Sequence, residues 1–226
     1  MSVWPDEASQ DMVDVVFELD AGTLADDHAE ALADALRRAL PWLADEPRAG
    51  ILPLSGLGRA DGRHCVGRRS RLAIRLPHSR RASADLLCGT TLDLDGVPLG
   101  LGRCSLRPLL PITEVVYSHF VSFGTADEIE FLAACRAALA GQGIGGEPVT
   151  GRARQMNTGA GPVHGFTLML HSLKRAESVA IQENGLGLYR LLGCGIFIPH
   201  KSIAAVGEAR GPRPPAPPPG GNPAKG

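Results

Sequence analysis

His28 stands one helical turn ahead of Leu32, in a segment where Leu32, Leu36 and Leu40 recur every four residues. A helix over about 26–43 therefore carries the imidazole at its N-terminal end, on the stripe that faces the body of the protein. Partial positive charge at a helix N-terminus disfavours imidazolium, which leaves a neutral ring able to accept a proton at pH 7. The alternative is a histidine that caps the core stripe. Far downstream, GLGLYRLLGCG over 185–195 sets two Gly-x-Gly pairs, Gly185 with Gly187 and Gly193 with Gly195, around an insert carrying Tyr189 and Arg190. Glycines at this density leave backbone N–H groups uncovered and tolerate positive φ, so the stretch reads either as a phosphate-holding loop or as a plain turn between a helix and a strand. A third chemical feature is the alternating segment 69–76, whose Leu72, Ile74 and Leu76 form one face and whose Arg69, Arg71 and Arg75 share the other parity. Three guanidinium groups could project from one side of that strand, and arginine is the better bidentate partner for phosphates.

Net charge is only −1, yet it is segregated along the chain. Residues 1–46 hold twelve acids and two bases, residues 47–110 eleven bases and four acids, and residues 151–206 six bases and two acids. A protein neutral in sum can thus present a basic face. Five widely spaced cysteines (Cys65, Cys88, Cys104, Cys135, Cys194) form no C-x-x-C pair, so neither a disulfide framework nor a zinc site is expected, and they read as small buried hydrophobes. No long apolar run or leader-like start is present, which predicts a cytoplasmic protein with no membrane partner.

The elements that must position these residues follow from hydrophobic period. A strand at 13–19, the helix at 26–43, a short strand at 51–54, a Gly/Arg-rich loop at 55–67, the arginine strand, a short helix at 79–88, a hairpin turning at Asp95 and Gly96, and a strand to 109 make a strand–helix–strand–strand–helix–strand order with an added hairpin. The second half repeats that order: strand 115–123, helix 127–140, a hairpin of 152–158 with 165–173, a helix to 183, the glycine loop, and a last strand. The fold class predicted is α+β, as two tandem ferredoxin-like (RRM-like, βαββαβ) units. The boundaries are a flexible start at 1–11, units at 12–110 and 111–206, and a disordered tail at 207–226, where twelve of twenty residues are Pro or Gly.

The pattern Gly-hydrophobic-Gly, five residues, Gly-hydrophobic-Gly, then a hydrophobic strand resembles the glycine loop of the CRISPR-associated repeat-processing endoribonucleases, the Cas-six family of the RAMP superfamily. GLGLYRLLGCGIFIP looks most like the Myxococcus-type subgroup, and the resemblance extends to the Asp27–His28 helix ending in ALPWL and to GRRSRLAIRLP at 67–77. It implies a protein that binds the hairpin of a CRISPR repeat in precursor RNA and cuts at its base without metal or cofactor, by attack of a ribose 2′-OH on the adjacent phosphate. It also implies retention of the product alongside other CRISPR-associated subunits of an interference complex. By position, His28 matches the family's catalytic histidine. Arg68, Arg69, Arg71, Arg75, Arg152, Arg154, Lys174 and Arg175 would grip the hairpin, Tyr189 would stack on a base, Arg190 would neutralise a phosphate, and the four glycines of the loop would position RNA backbone. Of the other six histidines, His64 lies in the arginine-rich loop and could meet RNA, but it and His78, His119, His164, His171 and His200 read as surface or structural residues ahead of catalytic ones. Two other functions stay open: a structured-RNA-binding subunit that does not cut, and a small-molecule-binding regulator, in which the arginine strand has no role.

Overall fold

The computed structural model describes residue 9 and residues 11–60, 63–111 and 113–200. The expected tail at 207–226, residues 201–206, and all of 1–11 except Ser9 and Asp11 lie outside the described residues.

Strand β1 (Met12–Leu19) alternates as its sequence predicts, turning Val13, Val15, Phe17 and Leu19 into a core and Asp14, Val16 and Glu18 to the opposite face. After β2 (Gly22–Leu24) comes helix α1 (Ala29–Ala39), whose Leu32 and Leu36 pack onto that core. The helix is shorter than expected. Leu40 leaves helical geometry at φ −130° because Pro41 follows, and Pro41–Ala44 continue as a 3-10 turn. Strand β3 is only Gly50–Ile51, since Pro53 cannot donate to a ladder. The expected loop at 55–67 instead contains β4 (Gly58–Ala60) and β5 (Arg63–Val66), which join β2 in a small sheet of order β2-β5-β4.

The first large sheet is completed by β6 (Arg71–Pro77), β7 (Thr91–Leu94) and β8 (Val97–Pro108), in the order β3-β6-β1-β8-β7. Asp95 and Gly96, both at positive φ, make the β7–β8 turn that the Asp-Gly pair predicts. Helix α2 (Arg81–Asp85), preceded by a 3-10 turn, is much shorter than 79–88. The expectation of five free cysteines needs correction: Cys88 and Cys104 are joined, tying the segment after α2 to β8. Cys135 and Cys194 are buried free thiols, each pushed up to about 12 by that burial and therefore inert.

In the second half, β9 (Val116–Val121), β10 (Glu147–Thr158), β11 (Gly161–His171) and β12 (Ile198–Pro199) form a sheet of order β10-β11-β9-β12. Helices α3 (Glu128–Gly141) and α4 (Arg175–Asn184) supply Phe131, Cys135, Leu139 and Ile181 to a second core with Val116, Leu168, Leu170 and Phe197. Asp127 caps α3 by accepting from the N–H groups of Ile129 and Glu130.

The two halves are joined by charge as well as by apolar contact. Cross-strand register sets Arg75 and Arg107 on either side of Asp14. Arg75 is 1% exposed, so it is not the RNA-gripping residue that strand parity predicted. Its Nε and Nη2 donate to the Asp14 carboxylate at 2.7 and 3.1 Å, while Nη1 reaches the backbone oxygens of Gln182 and Phe197 in the second half at 2.8 and 2.7 Å. Burial alone would raise the Asp14 pKa, but Arg75 and Arg107 outweigh it and hold the carboxyl below its usual range. Beside this lock, Ile196 packs with Leu52 and Ala73.

Candidate functional site

Between the halves lies an open cleft of about 530 Å³, lined from the first half by Asp26, His28 and His64 and from the second by His119, Arg154 and Gly193 among others. His28 is the residue immediately before α1, directly after the turn at 26–27. Its Nδ1 lies 2.9 Å from the Ala25 carbonyl oxygen. That oxygen can only accept, so Nδ1 carries the hydrogen and the neutral ring keeps its lone pair on Nε2. Burial pushes the His28 pKa below its ordinary value, more than the Ala25 contact raises it, and the facing His64 pushes the same way. A neutral imidazole is the expectation from the sequence. Its leading cause in the structure is burial rather than the helix terminus.

His64 reaches the cleft because β5 pairs with β2, which sets His64 opposite Leu24. The two imidazoles meet edge to face, with centroids 5.4 Å apart and planes at 87°, and His64 Nε2 lies 3.5 Å from an Asp26 carboxylate oxygen. Across the cleft His119 projects from β9 beside Tyr117, its ring centroid 5.0 Å away. Burial, and then the nearby Arg154, lower the His119 pKa. His119 also lines an adjoining pocket of about 160 Å³ with Arg71 and Arg107. The tip of the β10–β11 hairpin closes one end of the cleft: Gly159 N–H donates to Glu30 at 2.7 Å and Asn157 Nδ2 to Asp27 at 3.2 Å.

The predicted site residues separate into groups. His28, Arg154 and Gly193 line the cleft, and Arg71 lines its neighbour, half-buried with Nη1 on the carbonyls of Arg68 and Ser70. Arg68 and Arg69 are exposed in the turn before β6, and Arg152 is exposed on β10. Lys174 and Arg175 are exposed at the start of α4 and do not line the cleft. Tyr189 is 45% exposed at positive φ.

The glycine loop departs from the expectation of an open phosphate cradle. N–H groups of Leu186, Leu188, Cys194 and Gly195 donate to the carbonyls of Gly195, Ser122, Tyr189 and Phe120, so these donors face backbone rather than a ligand. Gly195, at φ +66°, lies so close to the Leu186 carbonyl that an added Cβ would sit 2.0 Å from its oxygen. Arg190, expected on a phosphate, instead donates to the backbone oxygens of Arg48, Ala49, Glu183 and Asn184. Burial, with Arg75 and Arg48 nearby, lowers its pKa to about 10, and it stays charged at neutral pH. The loop is thus a second fastening between the halves, with Gly185 and Gly187 at its start and Leu191 and Leu192 packed on the first core.

The sequence ranks His64 and His119 as surface or structural residues, and the structure brings both to the cleft. Pairing of β2 with β5, which seats His64, joins short segments without apolar alternation. For His119 the signal was present, because Tyr117 and His119 share one parity of a strand. Among the described residues no group of three His, Cys, Asp or Glu side chains could hold a metal ion, and no helix is long and apolar enough to cross a membrane.

A family model described as "Cas6 Crispr" matches residues 13–202. The chain is 34% identical over 195 residues to the CRISPR-associated endonuclease Cas6 of Myxococcus xanthus (strain DK1622), covering 86% of this chain and 84% of that protein. Among solved structures, a CRISPR-associated protein Cas6 aligns with TM-score 0.62 at 11% identity, over 84% of this chain and all of that one. A Cas6-related protein from Pyrococcus furiosus aligns with TM-score 0.61 at 10% identity, over 83% of this chain and 98% of that one. These structural likenesses speak for a shared fold, and the family match over residues 13–202 together with the 34% identity places the chain in the Cas6 family of CRISPR-associated proteins.

Proposed function

We propose that this chain is an endoribonuclease that binds the hairpin of a CRISPR repeat in precursor RNA and cuts it by 2′-OH attack, without a metal ion. The observation that carries this reading is His28, with its Nε2 lone pair fixed by the Ala25 contact, in a cleft that also holds Arg154. In this mechanism the 2′-hydroxyl gives its proton to His28 Nε2 and its oxygen bonds to phosphorus. The Arg154 guanidinium offsets the charge that develops on the phosphorane oxygens, and the bond to the 5′-oxygen breaks, leaving a 2′,3′-cyclic phosphate and a 5′-hydroxyl. The endonuclease activity in the name of the Myxococcus relative supports the reaction class. Exposed Arg68, Arg69 and Arg152 and half-buried Arg71 suit phosphate and 2′-OH contacts along an RNA duplex. By family resemblance, the product stays bound and joins other CRISPR-associated subunits.

We also infer that the chain is built of two ferredoxin-like units meeting near residue 110. Support comes from the matching strand orders: β3-β6-β1-β8 and β10-β11-β9-β12 each place their unit's first and third strands at the centre.

The test is incubation of the full chain, in chelator, with a transcript of the repeat from its own CRISPR array. Cyclic or 3′-phosphate and 5′-hydroxyl ends, lost in His28→Ala, are expected. Tight, salt-dependent binding with no product would leave the non-cutting RNA-binding reading in its place.

A further inference from the structure

Two histidines with different surroundings share one wall of the cleft, while the reaction proposed above moves two protons. His28 has been accounted for: its Nδ1–H is held by a carbonyl and its Nε2 is an acceptor. His64 meets a carboxylate at Nε2 instead. A carboxylate oxygen of Asp26 lies 3.5 Å from His64 Nε2, so a positive ring there has a negative partner, and Nδ1 is left as the nitrogen that can give up a proton. The spacing also fits. In-line displacement puts the attacking and leaving oxygens on opposite sides of phosphorus, and enzymes that bridge such a pair with two metal ions hold the ions about 3.5–4 Å apart. His28 and His64 both line the cleft with ring centroids 5.4 Å apart, so the two imidazoles stand on the scale of one phosphate.

We propose that His64 is the general acid of the cleavage reaction, protonating the 5′-oxygen as its bond to phosphorus breaks. This rests on the endoribonuclease reading. The balance closes within the cleft: one proton passes from the 2′-hydroxyl to His28, one passes from His64 to the departing oxygen, and exchange with water resets the pair. Asp26 orients the ring, in the manner of the carboxylate that orients a catalytic histidine in hydrolytic triads. His64 is brought there by the β2-β5-β4 sheet, which gives that side sheet a catalytic purpose.

A merely structural His64, tying β5 to the turn before α1, must be told apart from an acid. The distinguishing substrate replaces the 5′-bridging oxygen at the scissile phosphate with sulfur, because a thiolate leaves without being protonated. His64→Gln keeps a polar side chain beside Asp26 but carries no transferable proton. On the oxygen substrate this variant is expected to be at least about 100-fold slower than wild type. On the sulfur substrate it should return to within a few-fold of wild type, while His28→Ala stays slow on both. A His64→Gln rate equal to wild type on the oxygen substrate, or equally depressed on both, overturns the assignment while leaving the endoribonuclease reading intact. Wild-type protein that binds both RNAs and cuts neither overturns that reading and the His64 assignment together.

Discussion

A carbonyl oxygen offers no proton, so the Ala25 contact puts the hydrogen on His28 Nδ1 and leaves Nε2 able to accept one. With burial, and then His64, lowering its pKa, His28 stays neutral further into acid than an ordinary histidine. The acid limb of kcat/KM for repeat cleavage is therefore expected below about 6.5, measured under single-turnover conditions; a limb above that value would contradict a buried base. His28→Ala should cut about 10²- to 10⁴-fold more slowly while binding the repeat with unchanged affinity, a split read by pairing cleavage rates with a filter-binding titration. At this scale the sequence was informative about identity and parity but not about cover. Arg75 does share the parity of Arg71, as alternation predicts, yet the second half of the chain lies over it and turns it from an RNA contact into a fastening. Arg190 was misread for the same reason: its partners are backbone carbonyls up to 142 residues away, which no local pattern shows.

Among the elements, the glycine loop gives the sharpest mechanical prediction. An alanine at Gly195 would pair a left-handed backbone with a Cβ 2.0 Å from a carbonyl oxygen. Gly89, at φ +76°, has nothing within 4 Å of its Cβ position, so it isolates the backbone penalty of roughly 1–2 kcal/mol. Gly195→Ala should destabilise the protein by clearly more than Gly89→Ala in urea unfolding; equal losses would mean that the close approach does not matter. Long periodic elements were legible, including α1, α3, the Asp95–Gly96 hairpin and the repeated strand–helix order of both halves. The small β2-β5-β4 sheet was not, because strands of three and four residues rich in Gly and Arg are defined by their pairing rather than by any alternation of their own. That gap obscured His64, since its place depends on that pairing.

For the whole molecule, the cleft exists only where the two halves are held together, and the Asp14–Arg75 lock is a buried part of that seam. Arg75→Met would leave the Asp14 carboxylate with Arg107 and two carbonyls without their donor. A loss of about 3–5 kcal/mol in denaturant unfolding is expected, with weakened cleavage although His28 is untouched. The lock also has a pH signature. Asp14 in the folded protein titrates below its unfolded value, so the folded state binds fewer protons there, and the contribution is complete above about pH 4 and lost as pH falls through the folded value. The stability gap between wild type and Asp14→Asn should accordingly be widest near neutrality and narrow below about pH 4. Charge segregation in the sequence predicts a basic face; the site itself, a cleft assembled from residues more than a hundred positions apart, needs the tertiary arrangement to become visible. The central claim is that this cleft cuts RNA through the substrate's own 2′-hydroxyl. It is tested most directly by a repeat RNA carrying a single 2′-deoxy nucleotide immediately 5′ of the scissile phosphate, assayed in chelator beside the unmodified RNA. The account predicts equal binding and no cleavage of the deoxy RNA at that bond; cleavage there at the unmodified rate would contradict it.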